Sequence, residues 1–213
     1  MCGLFASRDM RVLKDLFRLN SRRGQRSISQ TEFFATSDGV SIHDIHQNAL
    51  DILLVPSSAE FNLVHIQAPT TGSPCIHPSI LDMDDGSVSA LWHNGILKED
   101  TIRRLQDAMS DDNPWDTHLL HLGLVQSGPE CADEYLSEVD GSFACFWYYK
   151  GQLYFFRNVI APLFMDESLS FSSVNFTGAG PIPAGVIWKL DLAANTISDT
   201  GIRFSTKNNP YYL

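Results

Sequence analysis

The sequence predicts an α+β fold in which sheets stack between helical layers. Two observations carry that prediction. Segments with helical apolar spacing are mixed with strands that no strand–helix–strand crossover pattern connects, and the last third of the chain is a run of short strands separated by Gly, Asp or Pro turns. A third observation sets the number of units: no repeat, low-complexity tract or linker divides the 213 residues, so residues 2–213 are expected to form a single domain long enough to bury a substantial core.

The elements follow in order. Arg8 to Asn20 places Val12, Leu13, Leu16, Phe17 and Leu19 at helical intervals, and Ser21-Arg22-Arg23-Gly24 reads as its basic end with a C-cap glycine. Extended segments are expected around Thr31–Thr36 and Asn62–Gln67. Between them, Ser41 to Leu54 sets Ile42, Ile45, Ala49, Ile52 and Leu53 at roughly helical spacing, although Ile52 to Val55 also suits a short strand. Ser87 to Trp92 alternates as a strand, Lys98 to Met109 has the helix face Ile102, Leu105 and Ala108, and Trp115 to Val125 repeats that pattern less cleanly. Gly141–Tyr149, Gln152–Arg157, Leu169–Ser173 and Gly185–Leu192 read as strands, with a loop at Asn175–Pro183.

Composition narrows the function. Hydrophobic residues make up 44% and charged residues 19%, a globular balance, and the formal net charge is −10. No basic run exceeds a pair such as Arg22-Arg23, so direct nucleic-acid binding is disfavoured, since phosphate contacts need clustered cations. The longest apolar run, Phe143 to Tyr149, is far short of a membrane span, and no basic-then-apolar leader opens the chain. Cys2, Cys75, Cys131 and Cys145 show no CxxC pairing, which points to a reducing, cytoplasmic setting and to neither a zinc site nor a disulfide framework.

Several segments have the residue types of a reacting site. The chain opens Met1-Cys2-Gly3-Leu4-Phe5, and removal of Met1 would leave Cys2 with a thiol beside its own α-amine, a nucleophile and a base on one residue. Trp92-His93-Asn94-Gly95-Ile96 reads as a strand ending in Asn-Gly before a helix, where an amide side chain and a backbone N–H can donate to a developing oxyanion; a plain Asn-Gly turn is the simpler reading. His65 to Gly72 runs from strand into a loop of small and hydroxyl residues suited to the polar head of an amino acid. Asp116 opens a helix, as an N-cap or as an ammonium ligand. His43/His46 and His118/His121 are spaced i, i+3, but no third ligand accompanies either pair. No G-x-S-x-G elbow and no phosphate-cradling G-x-x-x-x-G-K occurs.

Taken in order, Met-Cys-Gly-Leu-Phe, Arg23-Gly24, His65–Gly72, His93-Asn94-Gly95, Asp116-Thr117 and Asp140-Gly141-Ser142-Phe143-Ala144 resemble the glutamine amidotransferase domain of class II. Arg157-Asn158-Val159-Ile160-Ala161-Pro162-Leu163-Phe164 and Phe171-Ser172-Ser173 are similar to the hairpin and strand that follow in that family, so the resemblance runs from residue 2 to about residue 192. It implies the four-layer αββα sandwich of the N-terminal nucleophile hydrolases, with two mainly antiparallel sheets between helical layers. By the same resemblance Cys2 is the nucleophile and its α-amine the base, Asn94 and Gly95 form the oxyanion hole, and Asp116 holds the α-ammonium of L-glutamine. The loop, with Gln67 and Thr70, would take the α-carboxylate, and Arg23 joins the substrate-binding set. No cofactor is implied.

One position departs from the family, which places an arginine two residues after the loop histidine, where this chain has Gln67. The expected activity is that of a stand-alone glutaminase subunit releasing glutamate and ammonia through a thioester, with a separate synthetase-type subunit as ammonia acceptor. An N-terminal cysteine amidase acting on another amide, and a catalytically impaired domain that binds or regulates a partner, remain the alternatives.

Overall fold

The computed structural model describes residues 2–49, 51–68 and 75–206. Their elements run β1 (Gly3–Ser7), α1 (Met10–Asn20), β2 (Ser27–Thr36), β3 (Gly39–Asn48), β4 (Phe61–Gln67), β5 (Ser79–Asp82), β6 (Val88–Leu97), α2 (Glu99–Met109), α3 (Asp116–Ser127), α4 (Ala132–Glu138), β7 (Gly141–Tyr149), β8 (Gln152–Arg157), β9 (Phe164–Met165), β10 (Phe171–Ser172), β11 (Gly180–Pro181), β12 (Val186–Asp191) and β13 (Thr196–Arg203). The strands form two antiparallel sheets: seven strands in the order β11-β9-β10-β1-β4-β2-β3, and six in the order β13-β12-β8-β7-β6-β5.

Three apolar clusters make the four layers. Leu4, Phe33, Phe61, Trp92, Phe146, Phe155 and Phe171 fill the space between the sheets. Phe5, Val64 and Ile66 turn the other way, onto Leu13 and Leu16 of α1. Leu91, Cys145, Trp147 and Phe156 face Leu105, Leu119, Leu120, Leu124 and Leu136 of α2, α3 and α4. Each side chain removed this fully from water contributes about 1.5–3 kcal/mol before the entropy of ordering is set against it. The fold is therefore the αββα sandwich that the sequence predicts, and among the described residues no helix is long and apolar enough to cross a membrane.

Among the elements that differ from expectation, two do so for identifiable reasons. Ser41 to Leu54 is not a helix: Gly39–Asn48 is the edge strand β3, and 51–59 is irregular. Ile42 pairs with Phe33 and Asp44 with Glu32, so His43 is the extra residue of a β-bulge. The insertion turns a two-residue alternation into the three-residue gap between Ile42 and Ile45, which imitates a helical interval. β1 escapes notice for the opposite reason. It is buried on both faces, so Gly3-Leu4-Phe5-Ala6-Ser7 has no polar alternation to read.

Candidate active site

Cys2 leads into β1, a strand flanked by β4 on one side and β10 on the other. It is 5% exposed, and its Sγ lies 3.4 Å from both the backbone N and the backbone O of Ala68, just past β4. Burial pushes the thiol above its ordinary pKa, while the Ala68 backbone contact pulls it back; more weakly, the Asp116 carboxylate raises it and the Arg23 guanidinium lowers it. Those two charges therefore share the thiol's electrostatic surroundings.

The turn after α1 supplies Arg23. The helix is capped by Ser21 and not by Gly24, contrary to the sequence reading. Gly24 serves another purpose: a Cβ there would lie 2.5 Å from the carbonyl carbon of Gln67 and 2.8 Å from Ala68 N, so the bare backbone is what lets the turn press against the end of β4. Arg26 N–H donates to the Gln67 carbonyl at 3.1 Å, and Arg23 Nη1 donates to the Ser173 carbonyl at 2.8 Å. The Gln67 side chain is buried, with its Oε1 accepting from Ser27 Oγ at 3.0 Å. Thr70 and the rest of 69–74 fall outside the described residues.

Asn94 and Gly95 do not end a strand. They sit inside β6, opposite Ala144 and Phe143 of β7. Phe143 exchanges its backbone groups with Asn158, its N–H going to Asn158 Oδ1 and its carbonyl accepting from Asn158 N–H. By strand alternation, His93, Gly95 and Leu97 then present their backbone to the opposite edge. β5 covers that edge only up to Ser79, which faces Leu91. Beyond it, the His93 carbonyl accepts from His65 Nε2 at 3.0 Å and Leu97 N–H donates to Asp116 Oδ2 at 3.2 Å. The Gly95 N–H lies between those two contacts. Because Leu4 of β1 pairs with His65, this uncovered edge of β6 meets the same end of the sandwich as Cys2.

A buried polar cluster backs the edge. His93 crosses over Gly95, its Nε2 3.2 Å from the Ser142 carbonyl, and a Cβ on Gly95 would overlap that carbonyl and come within 2.6 Å of the imidazole. His93 Nδ1 and His77 Nε2 each lie 3.1 Å from Thr117 Oγ1. His77 stacks on His65 with ring centres 3.8 Å apart, and Trp115 packs edge-on against it at 5.2 Å. Burial lowers the His65 pKa to about 3 and puts that of His77 well below the ordinary histidine value. Asp116 is the first residue of α3 and not its cap, which is Trp115. Its Oδ1 accepts from Thr117 N–H at 2.8 Å, and the residue is 3% exposed.

Thr117, His77 and Ser27 belong to the site's framework, and residue types alone did not single out their roles; the signal available was that Thr117 and His93 adjoin Asp116 and Asn94. The spaced histidines of α3 have other partners. His118 bonds Asp111 at 2.8 Å, His121 lies between Ser79 and Ser89, and among the described residues no cluster of His, Cys, Asp or Glu is arranged to hold a metal.

No protein-family model and no curated protein matches this sequence. Solved structures do. The glutamine phosphoribosylpyrophosphate amidotransferase from B. subtilis, in complex with ADP and GMP, aligns with a TM-score of 0.69 over 98% of this chain at 18% identity. A structure described as the allosteric regulatory enzyme of purine biosynthesis aligns with a TM-score of 0.68 over 98% of this chain at 17% identity. This chain spans 50% of the length of each. Over nearly all of its length, then, the chain shares its fold with about half of each of these two solved structures, the first of them a glutamine phosphoribosylpyrophosphate amidotransferase.

Proposed function

We propose that this chain is a glutamine-hydrolysing amidotransferase subunit whose nucleophile is Cys2, exposed as an amino-terminal residue by removal of Met1. The observation that carries the reading is that Cys2, at the head of a central strand, feels the charge of Asp116, whose carboxylate accepts from the uncovered edge of β6 that holds Asn94 and Gly95. The shared fold supports it.

The chemistry follows from those positions. Burial disfavours the Cys2 thiolate, so a base within reach is required. A free α-amine, with a pKa of about 7.7–8.0, is partly unprotonated near neutrality, can then accept a proton, and sits on the same residue. The thiol proton passes to the amine as sulfur attacks the side-chain carbonyl carbon of glutamine. The tetrahedral oxyanion is held by the Asn94 amide and the Gly95 N–H. The amine returns its proton to the departing nitrogen, ammonia leaves, and water hydrolyses the thioester to glutamate. Asp116 binds the α-ammonium. Ammonia released into water would be protonated and lost to synthesis, so a separate synthetase-type subunit is the proposed acceptor, in a reducing compartment that keeps the thiol free.

Gln67 favours a second reading. Its neutral amide stands in the carboxylate-binding region and is tied to Ser27, which suits an amide substrate whose α-carboxyl is itself neutral. One assay separates the readings: glutamate or ammonia release from L-glutamine and from its α-amide, with Cys2→Ala as control and intact mass defining the amino end. Turnover of glutamine by protein lacking Met1, abolished in Cys2→Ala, is expected. Turnover that survives with Met1 attached would overturn the nucleophile assignment, and preference for the α-amide would favour the second reading.

A further inference from the structure

The hydrogen bonds around Thr117 have a direction that the backbone sets. His93 Nε2 faces the Ser142 carbonyl at 3.2 Å, and a carbonyl can only accept, so that nitrogen bears a proton and, with one proton on the ring, Nδ1 is bare. The atom 3.1 Å from that bare nitrogen is Thr117 Oγ1, which must therefore donate to it. A hydroxyl has one proton. Having given it to His93, Thr117 can only accept from His77 Nε2, also at 3.1 Å. That leaves His77 Nδ1 as the unprotonated nitrogen, and among the described residues it is a buried histidine nitrogen without a hydrogen-bond partner. The relay therefore runs one way, His77 to Thr117 to His93 to Ser142.

Its geometry matters as much as its direction. The chain of bonds ties the first turn of α3 to the middle of β6, and from there to β7. Thr117 adjoins Asp116, and His93 adjoins Asn94. The same His93 offers its carbonyl to His65 of β4, so the seven-stranded sheet is fastened to the residue before Asn94 as well. Asp116 keeps its own place through two backbone donors, Thr117 N–H at 2.8 Å and Leu97 N–H at 3.2 Å, and its Oδ1 is 3.4 Å from the Thr117 hydroxyl, too far to compete with the bare His93 nitrogen. The hydroxyl thus acts on the β6 side of the site.

Resting on the glutaminase reading above, we propose that Thr117 is a positioning residue: its hydroxyl, held between His77 and His93, fixes the His93 ring over Gly95 and so sets Asn94 and the Gly95 N–H against the reacting carbonyl. The substrate anchor, Asp116, is held independently of that hydroxyl. Loss of the hydroxyl should therefore register in the chemical step and leave glutamine binding nearly intact.

Thr117→Val keeps the shape and the backbone N–H and removes only the hydroxyl; Thr117→Ser restores it. Steady-state glutaminase kinetics on protein lacking Met1 should show kcat falling by about 30- to 100-fold in Thr117→Val, the scale of a sub-ångström misplacement of catalytic groups, with KM within about threefold of wild type. Thr117→Ser should recover kcat to within about threefold. Circular dichroism at the assay temperature reports whether each variant is folded, and the ring ¹⁵N shifts of His93 should move in Thr117→Val from the Nε2–H form and return in Thr117→Ser. A folded Thr117→Val with wild-type kcat, a rise in KM with kcat unchanged, or a serine variant as impaired as the valine would overturn the role. An inert wild type would instead overturn the glutaminase reading, and this role with it.

Discussion

Gly95→Ala tests the geometry of β6 most directly. A methyl group at this position would overlap the Ser142 carbonyl oxygen and stand 2.6 Å from His93 Nε2. Neither neighbour can yield freely. Ser142 is paired in the β6–β7 ladder opposite Ile96, and the His93 ring is held by Ser142 at one nitrogen and by Thr117 at the other. Overpacking of this kind costs about 1–3 kcal/mol, and expelling the imidazole from the Ser142 carbonyl adds about 1 kcal/mol for the lost hydrogen bond. The combined loss of about 2–4 kcal/mol corresponds to a fall in Tm of roughly 5–15 °C for a domain of this size. Activity should fall further than stability alone explains, because the displaced backbone is the proposed oxyanion donor, and one such donor is worth about 2.7–4 kcal/mol. Thermal unfolding followed by circular dichroism, with glutaminase rates measured well below the midpoint, gives both quantities. A Gly95→Ala protein with the Tm and kcat of wild type would refute the packing of His93 over residue 95 and the role assigned to this strand.

Further tests address other parts of the site. Asn94→Ala should cut kcat by about 10²–10³ with little change in KM, since the side chain is assigned to the developing charge and not to the ground state; a change confined to KM counts against that assignment. Gln67→Arg should strengthen glutamine binding by about one decade through a bidentate carboxylate contact, read as KM on glutamine against KM on its α-amide, and equal shifts for both would argue that residue 67 does not face the carboxyl group. Stability should depend on acid through the buried histidines. The pKa values of His65 and His121 are lowered by burial to about 3, below the ordinary 6.5, so between those values the unfolded chain binds more protons than the fold. Stability is then complete above about pH 6.5 and declines as pH falls towards 3, each such histidine adding a slope of about 1.4 kcal/mol per pH unit. Urea unfolding between pH 7.5 and 5 measures it, and a flat profile would place these rings in contact with water.

Much of the sandwich is legible in the sequence because its outer elements are amphipathic. α1 and α2 each bury one face, and their apolar spacing shows which. The same logic fails where burial is two-sided or interrupted. β1 has a core on both faces, and the bulge at His43 gives an edge strand a helical interval. The site divides similarly. Cys2, Asn94, Gly95 and Asp116 are recognisable as an ordered set of motifs, and the structure brings them to one end of the sandwich. Their setting is not recognisable in that way. That Asn94-Gly95 lies within a strand follows from its pairing with Ala144 and Phe143 of β7, a contact between distant segments. That His77 belongs beside His65 depends on the segment before β5 folding onto β4, which no spacing records. Gly24 illustrates the difference between residue type and reason: a glycine after a basic turn reads as a cap, whereas close approach to Gln67 and Ala68 is what requires it.

The placement of β1 has a consequence for biosynthesis. Its neighbour on one side, β4, is complete at Gln67, but its neighbour on the other, β10, contains Phe171 and Ser172. A ribosome must therefore translate through residue 172 before the first strand can be enclosed on both sides. Until then the leading residues of the nascent polypeptide keep one flank open to a cotranslational aminopeptidase. Because Cys2 is itself buried once the sheet is complete, the trimming of Met1 proposed above is expected to precede that closure. Pulse-labelled nascent chains arrested before and after residue 172 should differ in how readily Met1 is removed.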